Sequence, residues 1–320
     1  MLTLTFSAYD LSSIHFAYSP LREAVYSFRT LLRPAGRALH LPWMKEVRGK
    51  LAGLDLGPLV DLQADPTGYI PDFLTPSPST PLPDLEVELA TFRATPPEVV
   101  RANLDTLAGP RAPTVRELYD EPGEGMARLA AAIERYWETA VAPHWPRMRA
   151  LLEGDLVYRS RQLAARGPEG LFAGMHTAVR WQDMRLCLEE RPAVYSRALG
   201  GEGLLLVPSI FVWPRVSYRT EAPSRPVIAY PARGVATLWE RGTAPAPDAL
   251  SAVIGRSRVL LLVELESPAS TTELARRTGL SPGSVSEQLT LLKEAGFVTP
   301  HRVGRSVLYA RTPRAEAVLS

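Results

Sequence analysis

The stretch Ser270-Thr-Thr-Glu-Leu-Ala-Arg-Arg-Thr-Gly-Leu-Ser-Pro-Gly-Ser-Val-Ser-Glu-Gln-Leu-Thr-Leu-Leu-Lys-Glu-Ala-Gly-Phe-Val298 decides how the C-terminal part of the chain folds. Ser270 followed three residues later by Glu273 is the signature of a capping box, so a helix is expected over Thr271 to Thr278. Gly279 supplies the left-handed conformation that ends it, and Leu280 seals the corner. Ser281-Pro282 then caps and opens a second helix with Val285, Leu289 and Leu292 on its inner face and Gly296 as its stop. Two short helices joined by a glycine-containing turn form a helix-turn-helix. Small Ala275 falls where the two must cross closely, with Val285 packing back on it.

Working outward, Asp248 is expected to cap a helix running through Ile254, and Ser257 another that carries Val259, Leu260, Leu262 and Val263. Downstream, Phe297-Val298-Thr299 and Ser306-Val307-Leu308-Tyr309-Ala310 flank a turn at Val303-Gly304, with His301, Arg302 and Arg305 around it. That pattern predicts a β-hairpin with a cationic tip. Each part is common alone, but helix, helix, helix-turn-helix and basic hairpin in that order within ~65 residues is far more specific.

The remainder of the 320 residues, 46% of them hydrophobic, is long enough for a second core. The Pro/Ala-rich run Arg241-Gly-Thr-Ala-Pro-Ala-Pro247 continues neither a helix nor a sheet ladder, so it reads as a connector. The expected division is an N-terminal domain over 1–242, a linker over 243–247 and a DNA-binding domain over 248–320. Of the 36 basic and 34 acidic residues, the last 73 hold nine and seven, so the whole excess of positive charge lies there. The single cysteine, Cys187, excludes an internal disulfide framework and a thiolate-rich zinc cage, and apolar Leu186 and Leu188 beside it predict a buried, inert thiol. With no export signal and no run of ~18 apolar residues, a cytoplasmic protein without a membrane span is expected.

The N-terminal domain reads as mixed and mainly helical, giving an α+β fold class overall. Leu2, Leu4 and Phe6 alternate with threonines, predicting a half-buried strand. Ser19-Pro20 opens a helix carrying Leu21, Val25, Phe28 and Leu31, next to His15, which is read as a local or core residue. The Pro/Thr/Ser-rich stretch from Pro66 to Pro83 predicts an exposed loop. Helices are expected from Pro97 to about Gly167, with inner faces that include Val99, Val100 and Leu104, then Met126, Ile133 and Trp137, then Met148, Leu152 and Val157. After Pro192, strands are expected at Leu204–Pro208, Ile210–Trp213 and Pro226–Tyr230.

Residues 248–314 resemble the winged-helix domain of ArsR-like repressors, on the helix-turn-helix quoted above and on Gly304-Arg-Ser-Val-Leu-Tyr309. The upstream Phe16-Ala-Tyr-Ser-Pro-Leu-Arg-Glu23 and Gly170-Leu-Phe-Ala-Gly-Met-His176 are similar to an uncharacterised N-terminal domain of long ArsR-like regulators, which names no activity. The first resemblance implies a sequence-specific regulator of duplex DNA, a repressor and a homodimer on a pseudo-palindromic operator. It places the helix from Pro282 in the major groove. The contacting residues it implies are Thr271, Ser281, Ser284, Ser286, Glu287, Gln288 and Thr290, with Lys293, His301, Arg302 and Arg305 on backbone or minor groove. Gln288 suits a bidentate contact to adenine and Glu287 suits cytosine N4, although both depart from the residues common in relatives.

Metal sensing, the best-known activity of short ArsR-like proteins, needs paired thiolates or clustered His and carboxylates near the recognition unit, and this sequence has none there. No metal and no cofactor is therefore expected. His144-Trp145, His176 and Trp181 could line an enzyme pocket. However, no phosphate loop, nucleophile elbow or zinc helix accompanies them, and a non-enzymatic reading is preferred. Open alternatives are an enzymatic or small-molecule-binding N-terminal domain with a winged helix that serves protein contacts, and a domain that only dimerises the chain. A small-molecule effector is compatible with the first of these and with the regulator itself.

Overall fold

The computed structural model describes residues 1–189, 195–220, 225–239, 246–265, 269–303 and 306–319, with secondary structure mixed between helix and sheet. The chain divides into two compact units, Met1–Trp239 and Glu240–Ser320. The expected connector lies mostly outside the described residues. The helix at its end begins at Ala246, so Ala246 and Pro247 occupy a first turn rather than a linker.

The first unit opens with strand β1 (Leu2–Thr5), helix α1 (Ala8–Ser12), strand β2 (Ile14–Phe16) and helix α2 (Pro20–Leu32). Ser19 caps α2 through a bond from the Arg22 N–H, with Pro20 in the first turn. Helices α3 (Leu41–Arg48), α4 (Gly57–Gln63), α5 (Leu85–Arg93), α6 (Pro97–Asp105), α7 (Pro113–Asp120), α8 (Pro122–Ala140) and α9 (Trp145–Phe172) follow, the last broken at Gly167, where φ is 64°. Strands β3 (Val179–Gln182), β4 (Arg185–Leu188), β5 (Tyr195–Ala198), β6 (Leu204–Ser209), β7 (Ser217–Arg219) and β8 (Val227–Pro231) complete the unit.

Two four-stranded sheets result, ordered β3-β4-β1-β5 and β2-β6-β8-β7. In the second, β2, β6 and β8 run parallel and β7 closes the edge antiparallel. All six residues of β6 are buried. Leu205 and Val207 face a helical core with Trp43, Phe92, Tyr136 and Phe211, whereas Leu204 and Leu206 face a second core built on Leu2, Leu4, Leu186 and Ile228. Burial on both faces is why β6 reads as an unbroken apolar run rather than an alternating one.

Several expectations need correction. Ile210–Trp213 is not a strand: it is a turn whose N–H groups at Ile210 and Phe211 are taken up by the buried Glu23 carboxylate at 2.9 and 3.2 Å. The stretch from Pro66 to Pro83 is not simply exposed, because Phe73 and Leu74 plug the helical core. Val99 and Val157 point outward at 41% and 51% exposure, their helices burying the neighbouring Val100 and Leu156 instead. His15 is exposed on β2, its ring held by the Ser13 carbonyl. Cys187 is half-buried, lying on the face of β4 opposite Leu186 and Leu188, with its Sγ 3.9 Å from the Thr3 hydroxyl. His144 packs beside Glu46 and Trp239, whereas His176 bonds the Pro214 carbonyl and Trp181 stacks on Phe172, so they do not converge on one site.

The second unit holds helices α10 (Ala246–Ile254), α11 (Arg256–Glu264), α12 (Thr271–Thr278), α13 (Pro282–Glu294) and α14 (Pro313–Leu319) with strands β9 (Ala269–Ser270), β10 (Val298–Val303) and β11 (Ser306–Arg311). Its sheet is ordered β10-β11-β9 and antiparallel throughout. Among the described residues no helix is long and apolar enough to cross a membrane.

Candidate nucleic-acid interface

The helix starts expected upstream are displaced. The helix assigned to Asp248 begins at Ala246, and α11 begins at Arg256 behind Gly255, which leaves Ser257 inside its first turn rather than at its cap. The second half of the unit follows local chemistry closely. The Ser270 hydroxyl accepts from the Glu273 N–H at 3.3 Å, and the Ser281 hydroxyl accepts from the Ser284 N–H at 3.2 Å. Each satisfies one of the N–H groups that a helix start leaves without a partner. Gly279, at φ 72°, and Gly296, at φ 73°, take the left-handed conformation in which a side chain would be strained.

Only half of the expected capping box forms. Instead of reaching back to Ser270, the Glu273 carboxylate accepts from Arg276 at 2.6 Å and from Arg277 at 2.8 Å. Hydrogen bonds from those two guanidiniums hold its pKa down to about 2. The carboxylate is therefore shared by two arginines on the outer face of α12 and offsets one of their two charges.

Val285, Leu289 and Leu292 of α13 are sunk into a core shared with Leu261, Leu274, Ala275 and Val298. Burying each such side chain stabilises the unit by roughly 1.5–3 kcal/mol as an upper figure, which fixes the rotation of α13 about its axis. That rotation leaves Gly283, Ser286, Glu287, Thr290 and Leu291 on the solvent face. Ser284 is half-buried beside the cap, and Thr290 spends its hydroxyl on the Ser286 carbonyl at 2.9 Å. Thr271 starts α12 half-buried, and Ser281 is exposed at the helix mouth.

Gln288 is turned away from this face. Its Oε1 accepts from Arg258 Nε at 2.8 Å, and Arg258 also holds the Ile254 carbonyl through Nη1 at 2.8 Å. The side chain expected to face a groove thus ties α13 to α11. Arg258 was not singled out from the sequence, and only its place on the helix preceding the helix-turn-helix could have signalled it. Arg276 and Arg277 were missed likewise.

The hairpin is longer than its sequence suggested. Val303 pairs with Ser306, so His301 and Arg302 lie in the ladder opposite Leu308 and Val307 rather than in the turn. Both are exposed, and His301 contacts the Thr299 hydroxyl at 3.1 Å. Gly304 and Arg305 lie outside the described residues. Lys293 and Arg302 are exposed and make no ion pair among the described residues, whereas Arg311 is bound to Glu316 at 3.0 Å and Arg314 caps the Ala295 carbonyl at 3.1 Å. No cluster of three or more His, Cys, Asp or Glu able to hold a metal occurs among the described residues.

A capped pair of helices crossing on small Ala275, with an exposed second helix and a two-stranded wing, defines a winged helix-turn-helix of the DNA-binding transcription regulators. Residues 255–299 match the family described as bacterial regulatory protein, arsR family, so the second unit carries a helix-turn-helix of that family. A 79-residue stretch is 34% identical to the HTH-type transcriptional regulator NmtR of Mycobacterium tuberculosis (strain ATCC 25618 / H37Rv), covering 24% of this chain and 66% of that protein. The chain thus spans about two thirds of the length of that relative. Residues 101–236 match a family of unknown function, DUF5937. No solved structure matches the chain.

Proposed function

We propose that the protein represses transcription as a homodimer, laying α13 in the major groove of a pseudo-palindromic operator with the wing against the neighbouring backbone. The observation that carries this reading is the division of α13 into a sunken face, Val285, Leu289 and Leu292, and a solvent face that is small or polar through its first half, at Gly283, Ser286, Glu287 and Thr290. Base-edge contacts fall to Ser284, Ser286, Glu287 and Thr290, and phosphate contacts to Ser281, Thr271, Lys293, His301, Arg302 and Arg305. Gln288, held by Arg258, is assigned to positioning α13 first and to base contact only if that bond opens. The N-terminal unit would pair two chains and set the spacing of the heads.

Selection of duplexes by the full chain tests this. The expected result is a symmetric motif with half-sites about one helical turn apart and an affinity that falls steeply with salt. Asymmetric or unselective retention would overturn it. Glu287 and Glu294, both exposed on α13, favour a second reading in which the helix meets a basic protein surface. That reading predicts no duplex binding even at low ionic strength.

A further inference from the structure

The amino-terminal unit contains a cavity of about 930 Å³, within the range typical of sites for small organic ligands. Four of its lining residues are arginines, Arg29, Arg33, Arg37 and Arg215, and none is acidic. Arg29 lies on the last turn of α2, Arg33 at its C-cap and Arg37 in the turn beyond, a basic run that would ordinarily be read as a solvated edge of the fold. Here two other segments close over that edge: the loop from Pro66 to Ile70 and the segment from Phe211 to Tyr218.

The guanidiniums are held in place by backbone oxygen rather than by counter-charge. Arg29 Nη2 donates to the Gly68 carbonyl at 2.8 Å, Arg33 donates to the Asp65 carbonyl, and Arg37 Nη1 donates to the Phe211 carbonyl at 2.9 Å. No ion pair involves any of the four among the described residues. The carboxylate whose charge reaches Arg29, that of Asp65, accepts from the Thr67 and Ala108 N–H groups at 2.7 Å each. Arg29 Nη1 is buried and has no hydrogen-bond partner among the described residues. Burial, and then the proximity of Arg33 and Arg37, lower the Arg29 pKa to about 10, which still leaves it charged at neutral pH.

Three like charges along the end of α2 and the turn after it, oriented by carbonyls and with no ion pair among the described residues, carry a repulsion that an oxyanion in the cavity would relieve. A guanidinium with one end anchored presents its remaining N–H groups in the fork that suits a carboxylate or phosphate. Beside this row, the half-buried Tyr218 lines the cavity and is the ring that a planar body would meet.

We propose that this cavity binds a small organic anion, with its carboxylate or phosphate head on the Arg29–Arg33–Arg37 row and an aromatic body against the Tyr218 side. It rests on the regulatory reading only in that the occupant would then be the regulator's effector. Arg215 is exposed and serves as the outer charge that draws the anion in.

The test uses the full chain without DNA, so its outcome is independent of operator binding. Calorimetric titration and thermal unfolding are read with phenyl phosphate, with benzoate and with neutral benzyl alcohol. Binding of either anion but not of the alcohol is expected, and the anion that binds more tightly identifies the head group. Arg33→Gln should weaken that binding by about tenfold or more, the loss expected for one charge-assisted hydrogen bond. Arg215→Gln, at an exposed position where folding is not at stake, should weaken it several-fold and flatten its salt dependence. Equal behaviour of anions and alcohol, or unchanged affinity in both variants, would overturn the proposal. Loss of duplex binding with anion binding intact would instead sink the operator reading alone.

Discussion

Arg258 Nε donates to Gln288 Oε1 at 2.8 Å, a bond that links α11 to the outward helix of the helix-turn-helix across 30 residues of sequence. If Gln288 serves α13 as a tether, Gln288→Ala should weaken every duplex by a similar factor. If it reads adenine, the same variant should cost about 1–3 kcal/mol at one base pair only. A double-mutant cycle with Arg258→Ala, followed by urea unfolding, should return a coupling of about 1 kcal/mol.

Ser270 and Glu273 should behave differently although both belong to the motif that announced α12. Ser270→Ala removes an occupied cap and should cost about 1 kcal/mol of stability. Glu273→Gln should cost far less, because its carboxylate is engaged with Arg276 and Arg277 at the surface and does not cap the helix. Equal losses in urea unfolding would restore the full capping box.

Lys293→Ala and Arg302→Ala should each lower affinity for all duplexes alike and reduce the slope of log K against log salt by about 1. Glu287→Gln should raise non-specific affinity, since an acid on the groove-facing side repels phosphate. Unchanged affinity in both Lys293→Ala and Glu287→Gln would remove α13 from the interface.

Two buried groups give stability opposite dependences on pH. Burial pushes the Glu23 carboxyl up from 4.5 to about 7, so the folded chain holds that proton more tightly than the unfolded one. Its contribution is greatest below pH 4.5 and is lost as pH rises through 7. Burial, with Arg37 nearby, pushes His40 down from 6.5 to about 3, so its contribution is present above pH 6.5 and is lost as pH falls towards 3. The neutral ring accepts from Trp239 Nε1 at 3.0 Å. Urea unfolding from pH 4.5 to 7.5 should show the difference between wild type and Glu23→Gln shrinking with rising pH, by at most about 1.4 kcal/mol per unit. The difference between wild type and His40→Phe should grow with rising pH. Parallel curves would place both groups in ordinary solvated surroundings.

What could be read from the residues alone was whatever neighbours in the chain decide. Ser270, Gly279, Ser281 and Gly296 act on backbone groups within a few positions of themselves, and the spacing of Val285, Leu289 and Leu292 sets a buried stripe whatever lies opposite. The runs that became β1, β6 and β8 were legible for the same reason. Tertiary structure decided what each exposed polar side chain meets. Gln288 lies on the flank that faces α11, a matter of about one sixth of a helical turn that periodicity does not resolve. Ile210–Trp213 has the composition of a strand but gives its N–H groups to Glu23, 187 residues earlier, and so leaves the sheet. Arg29, Arg33 and Arg37 line a cavity only because Pro66–Ile70 and Phe211–Tyr218 fold over them. Caps and stripes follow from short-range bonding and burial, whereas partners and enclosure depend on segments brought together from far along the chain.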